Sequence, residues 1–173
     1  KKCSSKYKIG LHPSWQSGDE KVLTGSEKKI LGKITGQMIE NSRQHFIRFT
    51  LPETYRQLIR YEIKNEFSMG YGSINGFRAS VASPFYWYDL EKEETNQLRV
   101  HPFCFMDANS FFEQKFTPQQ ALAEIKKYYN SIKAVNGTMI TIWHNPFLGT
   151  DELFTGWRKM YEEFVREVTG NGQ

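Results

Sequence analysis

Three of the four histidines in this 173-residue chain stand where a short apolar run begins or ends. His12 follows the run 9–11, His45 begins another, and His144 follows the run 140–143. In folds that alternate β and α elements, the carboxyl ends of parallel strands face one crevice, so side chains distant in sequence meet there. This pattern predicts a site of converging imidazoles, suited to binding a metal ion or transferring protons.

The apolar spacing along the chain alternates between strand and helix periods. Strands are predicted at 7–11, 45–49, 98–107 and 138–143, with short strands and tight loops between 63 and 90. Helices are predicted at 26–39, at 52–61, from 117 to the Asn136-Gly137 pair, and at 157–168. The order favours an α/β fold with a mainly parallel sheet or an open barrel, in one domain spanning residues 1–173.

Composition narrows the classes of partner. Aromatic residues form 15% of the chain, which is typical of ring packing under loops or of a ring-lined groove. The net charge of +4 is dispersed and no basic helix accompanies it, so no nucleic acid partner is expected. No run of about 18 apolar residues occurs, so no membrane span is expected. Cys3 and Cys104 lack the CxxC spacing, and two free thiols fit the cytoplasm slightly better than an oxidising compartment.

His12 and His45 are candidate metal ligands. Imidazole is the usual neutral nitrogen ligand of zinc and related divalent ions. A structural histidine at a strand end explains His12 equally well, and the same alternative holds for His45. Arg43 lies two residues before His45, on the same side of the predicted strand.

His144 is a candidate proton-transfer group because it ends the most apolar predicted strand. Burial there would tune the imidazole, and a carboxylate nearby would hold its tautomer. Asp107 is the expected partner, since it also ends a strand; a turn or helix cap is the alternative role. His101 precedes Pro102 within a strand pattern and is expected to be structural.

A loop of small residues presents Arg78, whose planar guanidinium suits a carboxylate or a substrate oxygen. A surface ion pair is the alternative. Four rings are candidates for stacking on a sugar, although core or loop packing explains each as well: Trp15, Tyr71, Trp87 and Trp143. Serine hydrolysis lacks support, because the Gly-x-Ser-x-Gly pattern is missing from the sequence.

Six short motifs occur along nearly the whole chain: Gly10-Leu11-His12-Pro13-Ser14, Ser42-Arg43-Gln44-His45-Phe46, Ser68-Met69-Gly70-Tyr71, Gly76-Phe77-Arg78-Ala79, Met106-Asp107 and Trp143-His144-Asn145. Each motif alone is weak, whereas six in this order are fairly specific. Together they resemble a branch of the polysaccharide deacetylase family, the NodB-like metal-dependent carbohydrate esterases. The resemblance implies a partial or distorted (β/α) barrel.

The resemblance also implies a divalent metal, zinc being the favoured ion, held by an aspartate and two histidines. His12 matches the first metal histidine, and His45 is the candidate for the second. The usual His-Ser-x-x-His spacing is missing, because Pro13 follows His12 and Gln16 takes the place of the second histidine.

The resemblance assigns the remaining roles within the reaction. Arg78, or less closely Arg43, corresponds to the arginine that orients the catalytic aspartate. His144 corresponds to the general acid, and Asp107 would support it. The implied reaction hydrolyses the acetamide of an N-acetylated carbohydrate, releasing acetate and a free amino sugar.

Two departures from the family pattern stand out. The family's first motif, a pair of adjacent aspartates, belongs before Lys1, and no Asp-Asp pair occurs in the sequence. We therefore expect the chain to be the carboxyl-terminal part of a longer protein. Glu66 stands where the branch tends to carry aspartate, and the sequence assigns it no role. The alternative function is a catalytically inactive carbohydrate-binding or scaffolding barrel.

Overall fold

A computed structural model describes residues 5–18 and 20–170. The chain divides into two compact units: unit 1 is Lys1–Met69 with Ser83–Pro102, and unit 2 is Gly70–Ala82 with Phe103–Gln173. The α-helices and strands of the described part are α1 (Lys21–Thr35), β1 (Asn41–Ser42), α2 (Glu53–Arg60), β2 (Asn65–Glu66), β3 (Phe85–Asp89), β4 (Glu94–Val100), β5 (Phe105–Met106), α3 (Pro118–Ala134), β6 (Thr141–Ile142), α4 (Asn145–Leu148) and α5 (Trp157–Thr169).

Unit 1 contains a four-stranded sheet in the order β1-β2-β4-β3. Strands β1, β2 and β4 are parallel, and β3 pairs antiparallel with β4 at its edge. Leu11 adds a parallel bridge to Ser42 beside β1. Four chain segments therefore run in one direction, and their carboxyl ends lie at one edge of the sheet.

The core of unit 1 forms between α2 and the sheet. Tyr55 and Leu58 on α2 are buried together with Trp87, Leu98 and Val100 of β3 and β4. The Tyr55 ring meets Trp87 edge-on, with ring centroids 5.4 Å apart. Along β3, the buried residues Trp87 and Asp89 alternate with exposed tyrosines, so one face of that strand is buried and the other is exposed.

Unit 2 combines a two-stranded parallel sheet, β5 with β6, with α3, α4 and α5. Its core is largely aromatic. Trp157 is 1% exposed, and its ring contacts Phe111 and Phe147 edge-on with centroids 5.8 and 5.2 Å apart. The aromatic excess of the sequence is thus used here mainly for packing, one of its two expected uses.

Helix α3 begins with a capping box. The Thr117 hydroxyl accepts from the Gln120 N–H, and the Gln120 side chain accepts from the Thr117 N–H, with Pro118 in the first turn. Replacing Thr117 by Ala is expected to lower the free energy of unfolding by about 1 kcal/mol, because a backbone donor loses its partner. Urea denaturation followed by circular dichroism measures this; Ser131→Ala, at an exposed position in the last turn of α3, is the control.

The structure confirms a mixed α/β fold with parallel strand pairs, and the described residues form no closed barrel. Two strand predictions are wrong. The 7–11 strand reduces to the single bridge at Leu11. The 45–49 segment forms a short 3₁₀ helix at His45–Ile47, in which Phe46 and Ile47 have φ of 53° and 57°. Its apolar side chains therefore do not alternate across a pleat.

The predicted 98–107 strand is two strands. Strand β4 ends at Val100, and β5 begins at Phe105; the residues between them, which include Pro102, have no regular secondary structure. A prolyl nitrogen cannot donate to a ladder, which explains the interruption. The helices at α2, α3 and α5 are confirmed. Helix α1 begins earlier than expected, at Lys21, and it ends earlier because Gly36 closes it at φ 72°. None of the helices described is long and apolar enough to span a membrane.

Candidate functional site

In unit 1, two imidazoles lie together at the carboxyl ends of parallel segments. His12 Nδ1 lies 2.8 Å from the Arg43 carbonyl oxygen, and this oxygen can only accept, so Nδ1 carries the proton. The His45 ring stacks on His12 with centroids 4.6 Å apart and planes 16° from parallel. The Arg43 N–H donates to the Leu11 carbonyl at 2.9 Å, which ties the two loops together.

The chemistry of this pair fits part of a metal site. An imidazole that donates from Nδ1 has its lone pair on Nε2, and a backbone carbonyl is a usual partner for the other nitrogen of a ligating histidine. A zinc site takes three or four protein ligands. No group of three or more His, Cys, Asp or Glu side chains suited to a metal occurs among the described residues. Each nitrogen lone pair lies in its ring plane, and the two stacked planes are only 16° from parallel, so the two rings as they stand cannot both ligate one ion. His12 supplies one nitrogen ligand, His45 would have to turn out of the stack to add a second, and a further ligand is required.

In the same unit, Glu66 ends β2 as a fully buried carboxyl group. Its Oε2 accepts from the Tyr55 hydroxyl at 3.0 Å, and its Oε1 accepts from the Ser68 N–H at 2.7 Å. Burial raises the pKa of Glu66 to about 7, although these hydrogen bonds and the charge of Arg43 act in the opposite direction. Burial in turn lowers the pKa of Arg43, whose Nε donates to the Phe67 carbonyl.

Glu66 predicts a pH dependence of stability. Between the ordinary pKa of 4.5 and the folded value of about 7, the folded protein keeps a proton that the unfolded chain has lost. The free energy of unfolding should therefore fall by on the order of 3 kcal/mol from this group as the pH rises through that window. Urea denaturation of the wild type and of Glu66→Gln at several pH values measures it. An identical pH slope in both proteins would contradict this assignment.

In unit 2, Asp107 and His144 follow the adjacent parallel strands β5 and β6, as the strand-end argument predicts. Asp107 Oδ1 lies 2.6 Å from His144 Nδ1 and accepts from the Ala108 N–H at 2.7 Å. Asp107 Oδ2 accepts from the His144 backbone N–H at 2.6 Å. The carboxylate is fully buried, whereas the imidazole is 47% exposed.

This arrangement suits proton transfer at Nε2 of His144. The Asp107 carboxylate holds the ring with its proton on Nδ1 and stabilises the imidazolium when Nε2 takes up a second proton. Three hydrogen bonds satisfy the oxygens of this buried side chain. The pair therefore has the geometry of a general acid or base with its orienting carboxylate.

Two buried asparagines brace the chain next to this pair, and sequence reasoning missed both. Asn75 Oδ1 accepts from the Met106 N–H at 2.9 Å, directly before Asp107. Asn109 Nδ2 donates to the carbonyls of Tyr71 and Ile74 at 3.1 and 2.8 Å. Asn109 begins a π-helical segment, Asn109–Glu113. The only sequence signal was an Asn before Gly76 in a loop, which is ordinary turn chemistry.

The other predicted polar residue of unit 2 is Arg78, which is exposed on its loop. The neighbouring Phe77 anchors this loop, since its ring meets Tyr128 edge-on within the core of unit 2. Tyr71 is 37% exposed on the same loop. Trp143 is half-buried, donates to the Thr141 hydroxyl and packs against Phe105.

The remaining predicted sugar-stacking rings belong to unit 1. Trp15 is 51% exposed on a short 3₁₀ helix, Trp15–Gly18. Trp87 is only 8% exposed and meets Tyr55 edge-on in the core, so core packing, the alternative role, describes it and a sugar platform does not. His101 stacks on Phe67, and burial lowers its pKa, in line with the expected structural role.

Cys104 is a buried free thiol, and Cys3 lies outside the described residues.

Comparison with known proteins adds no relative. No protein-family model matches the chain, and neither the curated proteins nor the solved structures yield a match.

Proposed function

We propose that this chain belongs to a metal-dependent hydrolase that removes N-acetyl groups from a carbohydrate, as polysaccharide deacetylases do. The observation that carries the proposal is the buried Asp107 carboxylate bound to the half-exposed His144 ring at 2.6 Å. Both residues belong to motifs that resemble the family, and this geometry serves the role that the resemblance assigns to them.

His144 acts as the general acid in this proposal. Amide hydrolysis needs a proton on the leaving nitrogen, because an unprotonated amine anion is a very poor leaving group. His144 donates this proton from Nε2, while Asp107 holds Nδ1 and stabilises the charged ring. Arg78 remains the candidate for orienting a carboxylate, because it is exposed on its loop and its planar guanidinium suits that partner.

His12 and His45 would hold the divalent ion, with zinc favoured by the two imidazole ligands. When bound, such an ion polarises the acetamide carbonyl and lowers the pKa of water. This chain orients His12 through the Arg43 carbonyl, and His45 would leave its stacked position to join His12 as a ligand. A carboxylate is still needed to complete the family's ligand set. A distorted (β/α) barrel agrees with the parallel segments found in each unit.

Acetate release and zinc binding test the proposal together. The full-length protein is assayed with a panel of N-acetylated oligosaccharides, and its zinc affinity is measured by calorimetry. Replacing His12 by Ala should abolish both, whereas His101→Gln, which removes an imidazole stacked on Phe67, should retain both. If the wild type binds these oligosaccharides and zinc does not bind, with no acetate released, the inactive carbohydrate-binding alternative takes its place.

A further inference from the structure

Glu66 heads a chain of hydrogen bonds within unit 1. The buried carboxyl accepts from the Ser68 N–H at 2.7 Å and is also bonded to the Ser68 hydroxyl. Ser68 is itself fully buried. Both polar groups of Ser68 therefore face the carboxyl, and Glu66 determines in which direction the Ser68 hydroxyl points.

The next bond leads to the backbone before His45. The Gln44 N–H donates to the Ser68 hydroxyl oxygen at 2.7 Å, and this contact is buried. A hydroxyl that donates its proton to a carboxylate has its lone pairs left for accepting. The ionised form of Glu66 thus matches the observed direction of the bond from Gln44.

The chain continues through one peptide group to His12. The Gln44 N–H and the Arg43 carbonyl belong to the same planar peptide unit, and that carbonyl is the partner of His12 Nδ1 at 2.8 Å. Every bond from His12 through the 43–44 peptide and Ser68 donates toward Glu66. Hydrogen bonds aligned in this way polarise one another.

We propose that Glu66 is a positioning residue for His12, whose Nδ1–H tautomer it holds through the Ser68 hydroxyl and the 43–44 peptide. The negative charge at one end makes the Arg43 carbonyl a stronger acceptor, which keeps the proton on Nδ1 and leaves Nε2 as the basic nitrogen. A carbonyl or carboxylate that accepts from the other ring N–H of a ligating histidine raises the basicity of that histidine. The role in metal binding rests on the proposed function, whereas the role in selecting the tautomer does not.

The test follows the proton on His12 by nitrogen-15 NMR of the imidazole at pH 8, without metal or substrate. The wild type should carry the proton on Nδ1. Glu66→Gln removes the charge and should move part of the His12 population to the Nε2–H tautomer. Ser68→Ala interrupts the series of hydrogen bonds and should move a larger part of that population. Glu94→Gln, which changes an exposed carboxylate of the same unit, should match the wild type.

Zinc binding, measured by calorimetry with zinc alone, is the second readout. Glu66→Gln and Ser68→Ala should each weaken zinc affinity about 10-fold, the size typical of changing a hydrogen-bond partner behind a ligating histidine. The inference is overturned if His12 keeps its proton on Nδ1 in both Glu66→Gln and Ser68→Ala. Should Glu66→Gln fail to fold, Ser68→Ala decides alone. If the variants shift the His12 tautomer but the wild type releases no acetate, only the proposed function is contradicted. If the wild type releases acetate but the variants leave the tautomer unchanged, only this inference is contradicted.

Discussion

Replacing Asp107 by Asn is expected to lower the rate of acetate release by about 10²–10⁴-fold, the range seen when an acid–base histidine loses its orienting carboxylate. The Asp107 side chain accepts three hydrogen bonds from His144 and Ala108. An amide of the same shape has one oxygen, so its NH₂ group would face a donor. With the NH₂ group toward the ring, His144 Nδ1 becomes the acceptor and the proton moves to Nε2; in either orientation of the amide the imidazolium loses its counter-charge.

Two measurements separate this effect from unfolding. Nitrogen-15 NMR of the imidazole should show the His144 proton on Nδ1 in the wild type and on Nε2 in Asp107→Asn. Asp151→Asn is the matched control, because Asp151 accepts only from the Leu153 N–H at the start of a short helix in unit 2. Full activity in Asp107→Asn would remove His144 from the role of general acid.

Replacing Trp157 by Ala should lower the free energy of unfolding of unit 2 by about 3–5 kcal/mol, the usual loss for a large ring removed from a core. Trp157 is 1% exposed on α5, and its ring packs edge-on against Phe111 and Phe147. These rings cannot all move into the space left behind, because each is also held by Phe154. A cavity would therefore remain.

Thermal unfolding of both proteins, followed by near-ultraviolet circular dichroism, measures the change. Trp15→Ala is the control, since that ring is 51% exposed in unit 1 and its loss should change stability little. A melting temperature for Trp157→Ala within the scatter of the control would show that the aromatic cluster does not determine the stability of unit 2.

Helices with strong local signals were predictable. Thr117 followed by Pro118 marks the start of α3 in the sequence, and the structure places both at that point with a full capping box. The repeating apolar residues of α5 likewise lie on its buried face, including Trp157 and Phe164. Such elements are specified by contacts within a few residues, so a single sequence is enough to find them.

Strands were predicted poorly because most of them are very short and all depend on distant partners or on a neighbouring strand. Strands β1, β2, β5 and β6 have two residues each, and their partners lie more than 20 residues away in sequence. The run 45–49 has strand-like residues but forms a 3₁₀ helix. Period-2 alternation cannot reveal a strand of two residues, and propensity alone cannot show which segment has a partner.

The residues of the candidate site likewise fall into those that the sequence indicates and those that only the structure identifies. The sequence alone determined that His12, Asp107 and His144 follow short apolar segments, and it indicated the pairing of Asp107 with His144. Only the tertiary structure showed that Glu66 and Ser68 join His12 through the 43–44 peptide. Burial and hydrogen-bond direction depend on residues brought together across parallel strands. A buried carboxyl group and an exposed one are written with the same letter in a sequence.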